Sequence, residues 1–544
     1  MKKIKCKIEE TIKKSFEFLF EGENFEEEIS ILSSNRPEFG DFYTNIVLQV
    51  AKKKKISPHK LATDLCNKIT EISSDDIKKV EVKNGFINFF IKDTVYLEYI
   101  KNLHKTSNTL LQEGFEGNKK ILIEFVSANP TGPLTIAHGR QAAFGEALAR
   151  ILKFAGFEVV KEYYLNDAGK QIQLLGQSLK ARYYQLKGEP MEIPEEGYEG
   201  EYLIEMSKQV GDVKEEDKDF WGRFASEKIL DGIKEDLKVF GVVFDKWTRE
   251  ASFIEDGSLK KTIEELKERG LIYLSDSSWW FKSSLYGDEK DRVVIKSDGD
   301  LTYLATDISY HKDKLKRGFD LLINIIGPDH HGYIPRLRAA VEVFGGNPSS
   351  FIPIIVQLST LYRGKEKLSM STRKGQFVSL RQLIEEVGPD ASKFFFIFRK
   401  TDSHLDFDLE LAKKKSLENP VYYLQYAYVR MKHILNFAQE NNIDIESIEP
   451  DYSLLKEPEE IVIAKKITSF PDTIEGVVRT YGVHLLAEYL LELSKLIHSY
   501  YQKHRVVDES QKELTMARVV LIKVVYQVFS RSLYLLNISL PDSM

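Results

Sequence analysis

The pattern of apolar and polar residues between positions 121 and 387 alternates between short apolar runs and stretches of helical periodicity. Apolar runs of about four to eight residues bounded by turn residues are typical of buried strands. Helices between such strands predict a parallel sheet with right-handed crossovers, which is the doubly wound, Rossmann-type α/β class. The candidate strands are 121–126, 157–165, 279–281, 292–295, 321–326 and 352–358.

The first part of the chain has a mixed pattern. Helical periodicity occurs near 8–19, 44–51 and 59–72, and two short strands flank Asn84-Gly85. A hairpin next to amphipathic helices predicts an α+β domain.

The last part of the chain differs again. After Gly388-Pro389 the strands are expected to stop, and apolar residues recur at helical spacing, which predicts an all-α bundle. We therefore expect three domains: 1–110, 115–387 with an insertion at about 175–250, and 388–544.

The composition is that of a globular protein and excludes several classes. Of the 544 residues, 42% are hydrophobic and 29% charged, and no window approaches the roughly 18 consecutive apolar residues of a membrane span. Acidic Glu9 and Glu10 stand where a signal peptide needs an apolar core. Cys6 and Cys66 form no C-x-x-C pair, so we expect a reducing, cytoplasmic location and no structural zinc. A net charge of −6 argues against indiscriminate nucleic-acid binding but permits an RNA held by local basic patches.

The most informative segment follows the strand 121–126. A loop of sequence Ser-Ala-Asn-Pro-Thr-Gly-Pro occupies 127–133, and His138-Gly139 then opens an amphipathic helix expected to end near Gly156. A strand, a glycine-bearing turn and a helix N-terminus form a phosphate site, because free N–H groups and the helix dipole face the same point. The segment fits neither the Walker A pattern nor G-x-G-x-x-G.

A second loop, 366–375, follows the strand 352–358 and carries Lys367, Arg373 and Lys374. Cations on such a loop can neutralise negative charge on a departing group. A basic surface loop alone is a weak signal, and its place in the same α/β unit gives it weight.

The two segments resemble the signature sequences of class I aminoacyl-tRNA synthetases. The segment at 127–140 resembles the HIGH motif in the form used by arginyl-tRNA synthetases, and 366–375 resembles the KMSKS loop. Both depart from the usual pattern. Thr135 replaces the first His of HIGH and Ala137 replaces its Gly, while the two lysine positions of KMSKS hold Ser369 and Thr372. The three neighbouring cations are expected to substitute for the missing lysines.

Further segments resemble arginyl enzymes in matching order along nearly the whole chain: 39–45, 84–88, 162–172, 406–409 and 419–427. The resemblance implies ATP-dependent ligation of L-arginine to its tRNA through an arginyl-adenylate. It also implies Mg²⁺ with ATP, a requirement for bound tRNA during activation, a monomer, and no obligate protein partner.

The resemblance, together with the residue types, assigns candidate site residues. The catalytic candidates are Thr135, His138, Gly139, Lys367, Arg373 and Lys374. The arginine-binding candidates are Glu124, Ser127, Asn129, Tyr303, Asp307 and Asp329. The ATP-binding candidates are Pro130, Gly132, Thr135, His138, Gly139, Asp329, His330, Met370 and Ser371. The tRNA-binding candidates are Asn45, Asn88, Tyr422, Gln425, Tyr426 and Arg430.

The arginine-binding candidates fit the chemistry of a guanidinium group, which is planar, carries five donors and calls for acidic partners. Tyr303 and Asp307 lie one helical turn apart, so both can face one pocket. The alternative is a helix turn in which Asp307 pairs with Lys312 or Lys314.

Other readings stay open. Asp329, His330 and His331 suggest a metal site, but adjacent side chains diverge and a substrate contact is favoured. Tyr422 and Tyr426 suit base stacking, whereas an aromatic helix core is the alternative. The chain as a whole is alternatively a class I synthetase for another amino acid, such as cysteine or glutamate, or a non-catalytic tRNA-binding paralogue.

Overall fold

The computed structural model describes residues 2–21, 25, 27–34, 36–106, 109–112, 115, 117–211, 219–368 and 378–544. The chain divides into two compact units. Unit 1 comprises Met1–Gly114, Arg430–Asp472 and Glu492–Phe529. Unit 2 comprises Phe115–Val429, Thr473–Leu491 and Ser530–Met544. Among the described residues, no helix combines the length and apolar character needed to cross a bilayer.

Unit 1 begins with the predicted α+β segment. Its elements are α1 (Lys2–Leu19), β1 (Leu32–Ser33), β2 (Phe42–Thr44), α2 (Ile46–Lys54), α3 (Pro58–Ile72), β3 (Ile77–Lys83), β4 (Phe86–Ile91) and α4 (Asp93–Thr106). The strands form an antiparallel sheet of order β1-β2-β4-β3. Asn84 and Gly85 join β3 to β4 with φ angles of 54° and 79°, the left-handed pair that a two-residue hairpin turn requires. The expected helices and hairpin are confirmed.

Unit 2 contains the alternating region. Its elements up to residue 316 are β5 (Lys120–Glu124), α5 (Ile136–Phe154), β6 (Glu158–Leu165), α6 (Lys170–Leu186), α7 (Glu201–Ser207), α8 (Phe220–Val239), β7 (Lys246–Arg249), α9 (Glu250–Glu255), α10 (Ser258–Glu268), β8 (Ile272–Ser275), β9 (Ser278–Phe281), β10 (Arg292–Ile295) and α11 (Tyr303–Lys316). The elements that follow are β11 (Leu321–Ile326), α12 (Ile334–Glu342), β12 (Phe351–Ile355), β13 (Ser359–Arg363), β14 (Glu366–Lys367), α13 (Leu380–Val387), α14 (Pro389–Ile397), β15 (Leu405–Asp408) and α15 (Leu409–Lys413).

The central sheet of unit 2 is parallel, with strand order β12-β11-β5-β6-β7. The chain first proceeds from β5 through β6 to β7 and later fills the other side with β11 and β12. The order therefore reverses between β5 and β11, and ligands of doubly wound sheets bind at the carboxyl ends of the strands beside such a reversal. This places the loops after β5 and β11 at the expected ligand site.

Two predicted strands belong elsewhere. The runs at 279–281 and 292–295 form an antiparallel sheet of order β10-β9-β8, so their assignment to the parallel sheet was wrong. The fifth parallel strand is instead β7, inside the region expected to be an insertion. Four residues are too few for periodicity to distinguish a buried strand from a loop.

The remaining helices are α16 (Pro420–Glu440), α17 (Pro458–Thr468), α18 (Phe470–Thr480), α19 (His484–Lys503) and α20 (Lys512–Leu535). They confirm the helical character of the C-terminal part. The expectation that strands stop at residue 388 was wrong, because β15 pairs in parallel with β13. The exact domain boundaries stay predictions.

Helix α5 is the central packing element of unit 2. It is buried over nearly all of its length, and it lies close to β5 because residue 145 is glycine. A Cβ atom on Gly145 would come 2.5 Å from the ring of Phe125. This close packing fixes the start of α5 relative to the loop that follows β5.

Candidate active site

The loop after β5 is held in an unusual backbone conformation. Val126 and Ser127 have φ angles of 68° and 39°, which side-chain-bearing residues rarely adopt and which is costly unless the surroundings enforce it. The Ser127 hydroxyl accepts from the Tyr164 amide at 3.1 Å and donates to Glu124 at 3.2 Å. The Tyr163 hydroxyl donates to the Ala128 carbonyl at 2.9 Å. Neighbouring β6 thus pins the loop at the carboxyl edge of the sheet.

His138 lies in the first turn of α5, as predicted. Its Nδ1 atom accepts a hydrogen bond from the Thr135 amide at 3.1 Å, so a neutral imidazole carries its proton on Nε2. Burial lowers the pKa of His138 to about 4, and the charge of Asp329 opposes this shift. The ring is therefore a neutral donor at physiological pH. The charge of Asp329, in the loop after β11, therefore acts on His138 at the start of α5.

Gly139 has a packing role. A Cβ atom at this position would come 2.7 Å from Leu380 Cδ1 and 3.2 Å from the Phe396 ring. Its amide already donates to the Thr135 carbonyl at 3.0 Å. Packing of α5 against α13 and α14 therefore accounts for this glycine, and a contact with ATP stays a prediction.

Asp307 lies in the first turns of α11, and Tyr333 donates to its Oδ2 atom at 2.6 Å. Burial raises the pKa of Asp307 to about 7, the Tyr333 hydrogen bond lowers it, and the nearby charges of Glu124 and Glu250 raise it. Tyr303, one turn earlier, is 54% exposed. An enclosed carboxylate close to other carboxylates is a site for a cationic group.

The alternative in which Asp307 pairs with a lysine of its own helix is wrong. Lys312 pairs with Glu265, and Lys314 pairs with Glu124. Lys314 is fully buried and lies 2.5 Å from Glu124 Oε2. The Asn324 side chain donates to the same oxygen at 3.2 Å, and the Ser127 hydroxyl donates to Oε1, so both carboxylate oxygens of Glu124 have protein partners.

Two residues of this pocket were missed from the sequence. The Oε2 atom of Glu250 is buried and has no hydrogen-bond partner within the described part of the chain, and the buried hydroxyl of Tyr164 lies beside the Thr306 side chain. Burial raises the pKa of Glu250, and nearby Asp167 adds to the shift. Buried polar atoms without partners point to an absent ligand. The missed signal was positional, because Glu250 directly follows β7 at the same carboxyl edge of the sheet.

The other predicted contacts line this edge. Asn129 donates to Gln171 at 2.6 Å, and Tyr202 donates to the Thr131 carbonyl at 2.6 Å above Gly132. Pro130 is buried. Asp329 and His330 have side chains that are 78% and 58% exposed, with His330 Nε2 3.4 Å from Asp329 Oδ2. Within the described residues, one group of three side chains, Glu457, Glu459 and His504 in unit 1, has ligand atoms close enough together to share a metal ion.

Three comparisons bear on this arrangement. Residues 100–396 match the family model described as tRNA synthetases class I (R), catalytic domain. Residues 2–91 match the arginyl tRNA synthetase N terminal domain, and residues 424–544 match the DALR anticodon binding domain. The chain belongs to the arginyl-tRNA synthetase family.

Relatives support this membership over the full length. The arginine–tRNA ligase of Citrifermentans bemidjiense is 42% identical over 530 residues, which is 95% of this chain and 96% of that protein. The enzyme of that name from Desulfosudis oleivorans is 42% identical over 520 residues, which is 93% of each chain. Thermus thermophilus arginyl-tRNA synthetase has the same fold, with a TM-score of 0.76, 18% identity and 99% coverage of each chain. A synthetase for another amino acid and a non-catalytic paralogue are not favoured by these matches.

The second signature of the arginyl-tRNA synthetase family is described only in part. Lys367 is exposed on β14, while Met370, Ser371, Arg373 and Lys374 lie outside the described residues. Immediately after this segment, the Leu380 amide donates to the Leu134 carbonyl at 2.7 Å, and Ser379 forms a bridge with Thr135. Ser379 and Leu380, which follow the undescribed residues of this segment, are therefore hydrogen-bonded to the loop that precedes His138.

The predicted tRNA contacts are placed unevenly. Asn88 is buried in β4, and its amide group donates to the carbonyls of Glu81 and Phe86, which is a hairpin role. Asn45 precedes α2 and is half-buried. Tyr422 and Tyr426 are stacked with their ring centroids 6.5 Å apart. Gln425 donates to Asp390 at 3.0 Å. These RNA contacts stay predictions.

Arg430 lines a cavity of about 630 Å³ in unit 1. Its guanidinium lies 4.3 Å from the centroid of the Tyr501 ring. The cavity also contains His433, Phe437, His504 and Arg505. Aromatic rings beside cationic groups are suited to an unpaired nucleobase.

Proposed function

We infer that this chain is an arginine–tRNA ligase. In the first step, a carboxylate oxygen of L-arginine attacks the α-phosphorus of ATP. The bond between the α-phosphorus and the oxygen that bridges it to the β-phosphorus breaks, and pyrophosphate leaves. In the second step, a ribose hydroxyl of the tRNA attacks the arginyl carbonyl, AMP leaves, and the hydroxyl proton is released. The observation that carries the inference is the acidic pocket of Asp307 and Glu250 beside the helix start that holds His138.

We propose that Asp307 and Glu250 bind the guanidinium of arginine. Two carboxylates face one cation, and the buried Glu250 oxygen gains a partner on binding. Tyr303 closes the exposed side. Glu124, Ser127, Asn129 and Asp329 are proposed to position the α-amino and carboxylate groups. An uncharged amino acid leaves this pocket with unpaired polar groups, which accounts for selectivity without an editing domain.

We propose that ATP lies between the loops after β5 and β11. Pro130, Gly132 and Thr135 shape one side, Asp329 and His330 the other, and the Nε2 proton of His138 stabilises charge that develops on the phosphates. We propose that the departing pyrophosphate is contacted by the cations Lys367, Arg373 and Lys374, together with Met370 and Ser371. The hydrogen bond between the Leu380 amide and the Leu134 carbonyl supports this, since Leu380 lies a few residues after these positions in the sequence and Leu134 lies just before His138.

Mg²⁺ is proposed to arrive with ATP. Its preferred ligands are oxygens, and it is usually held by phosphates with one or two carboxylates. The exposed Asp329 carboxylate at the nucleotide edge fits that requirement. When bound, the ion would supply charge neutralisation for the departing pyrophosphate.

We propose that the tRNA for arginine is bound by both units. The supports are the matches of residues 2–91 and 424–544 to the N-terminal and anticodon-binding models and the cavity at Arg430. A requirement for tRNA during activation, a monomeric state, the absence of an obligate protein partner and a cytoplasmic location are proposed from the family alone.

ATP–pyrophosphate exchange with a panel of amino acids, with and without total tRNA, tests the function. We expect exchange with arginine only, and only when tRNA is present. Exchange with another amino acid would identify a different specificity. Absence of exchange with intact tRNA binding would identify a non-catalytic paralogue.

A further inference from the structure

Tyr333 lies at the junction of the arginine pocket and the nucleotide edge. It ends the short 3-10 helix Pro328–Tyr333, which carries Asp329 and His330. Its ring packs against the core formed by α10, α11 and α12, and the Arg336 guanidinium lies 5.0 Å from its centroid. The ring is thus held by packing, and the position of its hydroxyl is defined.

The hydroxyl donates to Asp307 Oδ2 at 2.6 Å. No hydrogen bond to Oδ1 occurs within the described part of the chain, so this second oxygen is left for a ligand. A hydrogen bond to an ionised carboxylate favours the charged form and fixes its orientation.

Asp307 needs this support, because most groups around it act against ionisation. Burial removes water, and the charges of Glu124 and Glu250 repel that of Asp307. Lys314 attracts it but is paired with Glu124. His311 contacts the main-chain carbonyl of Asp307, not its carboxylate.

We propose that Tyr333 is a positioning residue for arginine specificity, whose hydroxyl keeps the Asp307 carboxylate ionised for binding of the guanidinium. The proposal rests on the proposed role of Asp307. It predicts that a single hydroxyl couples the 3-10 helix Pro328–Tyr333, beside the proposed ATP site, to the arginine pocket.

Tyr333→Phe removes the hydroxyl and keeps the ring. In ATP–pyrophosphate exchange with tRNA present, we expect the KM for arginine to rise about tenfold or more at pH 7, with smaller changes in kcat and in the KM for ATP. Arginine binding requires ionised Asp307, and without the hydroxyl the pKa of this carboxyl rises further. The KM defect should therefore grow below pH 7 and largely disappear at pH 9. A KM defect that is equal at all pH values would overturn the proposal, because lost packing has no such pH dependence.

Tyr286→Phe is the matched control. Tyr286 packs against the same core and stacks on Phe281 with centroids 6.0 Å apart, away from Asp307. We expect its arginine KM and pH profile to equal those of the parent protein. Thermal unfolding of both variants establishes that each is folded.

Asp307→Asn and the double variant Asp307→Asn/Tyr333→Phe separate the proposed role of Asp307 in arginine binding from the proposed role of Tyr333. If Asp307→Asn raises the arginine KM strongly and Tyr333→Phe adds nothing in that background, the hydroxyl acts through the carboxylate. A normal arginine KM in Asp307→Asn would overturn the role of Asp307 itself. A defective Asp307→Asn with a normal Tyr333→Phe would overturn only the role of Tyr333.

Discussion

Asp307 and Glu250 share a pocket that favours a bound cation over an empty state. Burial raises the pKa values of both carboxyl groups, and the charge of Glu250 adds to the shift of Asp307 while that of Asp167 adds to the shift of Glu250. A carboxylate with such a shift destabilises the folded protein wherever it is ionised. The guanidinium that we propose as the ligand of this pocket would offset that cost on binding.

Asp307→Asn should stabilise the free protein while it weakens arginine binding. In the folded protein the pKa is about 7, against an ordinary value of 3.8. The ionised group is thus fully destabilising above pH 7, and its cost disappears as the pH falls toward 4. We expect a gain of about 1–3 kcal/mol in the free energy of unfolding at pH 8.5, and a smaller gain at pH 5. Urea unfolding at both pH values measures this gain.

Asp329→Asn, at an exposed position, is the control and should change stability by less than about 0.5 kcal/mol. A loss of stability in Asp307→Asn at pH 8.5 would contradict the expected destabilisation by ionised Asp307.

His138→Ala should reduce kcat by about 10²- to 10³-fold, because the lost Nε2 donor acts on charge that develops in the transition state. The loss of its contact with the Thr135 amide should cost no more than about 1 kcal/mol of stability. With a pKa of about 4, His138 should not titrate in the rate profile between pH 6 and 8. Steady-state aminoacylation measures the change in kcat and the pH dependence of the rate. His59→Ala, at an exposed position, serves as the control for amino-acid activation. Unchanged turnover in folded His138→Ala would show that His138 has no part in the mechanism.

At the scale of elements, helix α5 joins the site to the rest of unit 2 through its contacts with β5, α13 and α14. Two glycines make these contacts possible, Gly145 against Phe125 and Gly139 against Leu380. The guanidinium of buried Arg140, on the same helix, donates to the carbonyls of Gln357, Lys400 and Ser403 at 2.7 to 3.0 Å. The position of His138 is therefore set by packing partners that are far away in the sequence.

Gly139→Ala should destabilise the protein by about 1–3 kcal/mol, because the new methyl group overlaps Leu380. Gly232→Ala is the matched control within a helix. It lies on the exposed side of α8 with no atom within 4 Å of the new methyl group, so we expect a gain of about 0.5–1 kcal/mol from helix propensity. Urea unfolding compares the two variants. If Leu380→Ala fails to relieve the cost of Gly139→Ala, overlap with this side chain is not its cause.

At the scale of the whole molecule, the chain enters and leaves each unit several times. Ser530–Met544, at the end of the sequence, belongs to the unit that contains the active site. Within that unit, the Tyr534 carbonyl accepts from Arg150 at 3.0 Å, and the Asn537 side chain donates to the Gly241 carbonyl at 3.1 Å. The last residues are thus part of the fold of the catalytic region.

Removal of residues 533–544 should lower the melting temperature strongly and reduce activity. This deletion takes away buried Leu533, Leu535, Leu536 and Ile538, each worth on the order of 1.5–3 kcal/mol when fully buried. Removal of only the exposed residues 542–544 is the control and should leave both properties unchanged. Differential scanning calorimetry and aminoacylation of the two shortened chains measure the outcome; equal stability would show that this segment contributes nothing.

The helices, the Asn84-Gly85 hairpin, four of the five parallel strands and the position of the loop that carries His138 could be predicted from the amino-acid sequence. These features depend on local periodicity, turn chemistry and spacing along the chain. The resemblance to arginyl enzymes and the acidic chemistry that a guanidinium requires also singled out Asp307, whose arginine-binding role stays a prediction.

The pairing of the strands and the contacts between distant side chains could not be predicted from the sequence and became visible in the folded chain. β7 and β15 are four residues long, and their assignment depends on the neighbouring strands that hydrogen-bond to them. Glu250 joins Asp307, and Lys314 neutralises Glu124, across distances in sequence that no local pattern records. The physical reason is that burial and electrostatic pairing are properties of surroundings assembled from distant parts of the chain.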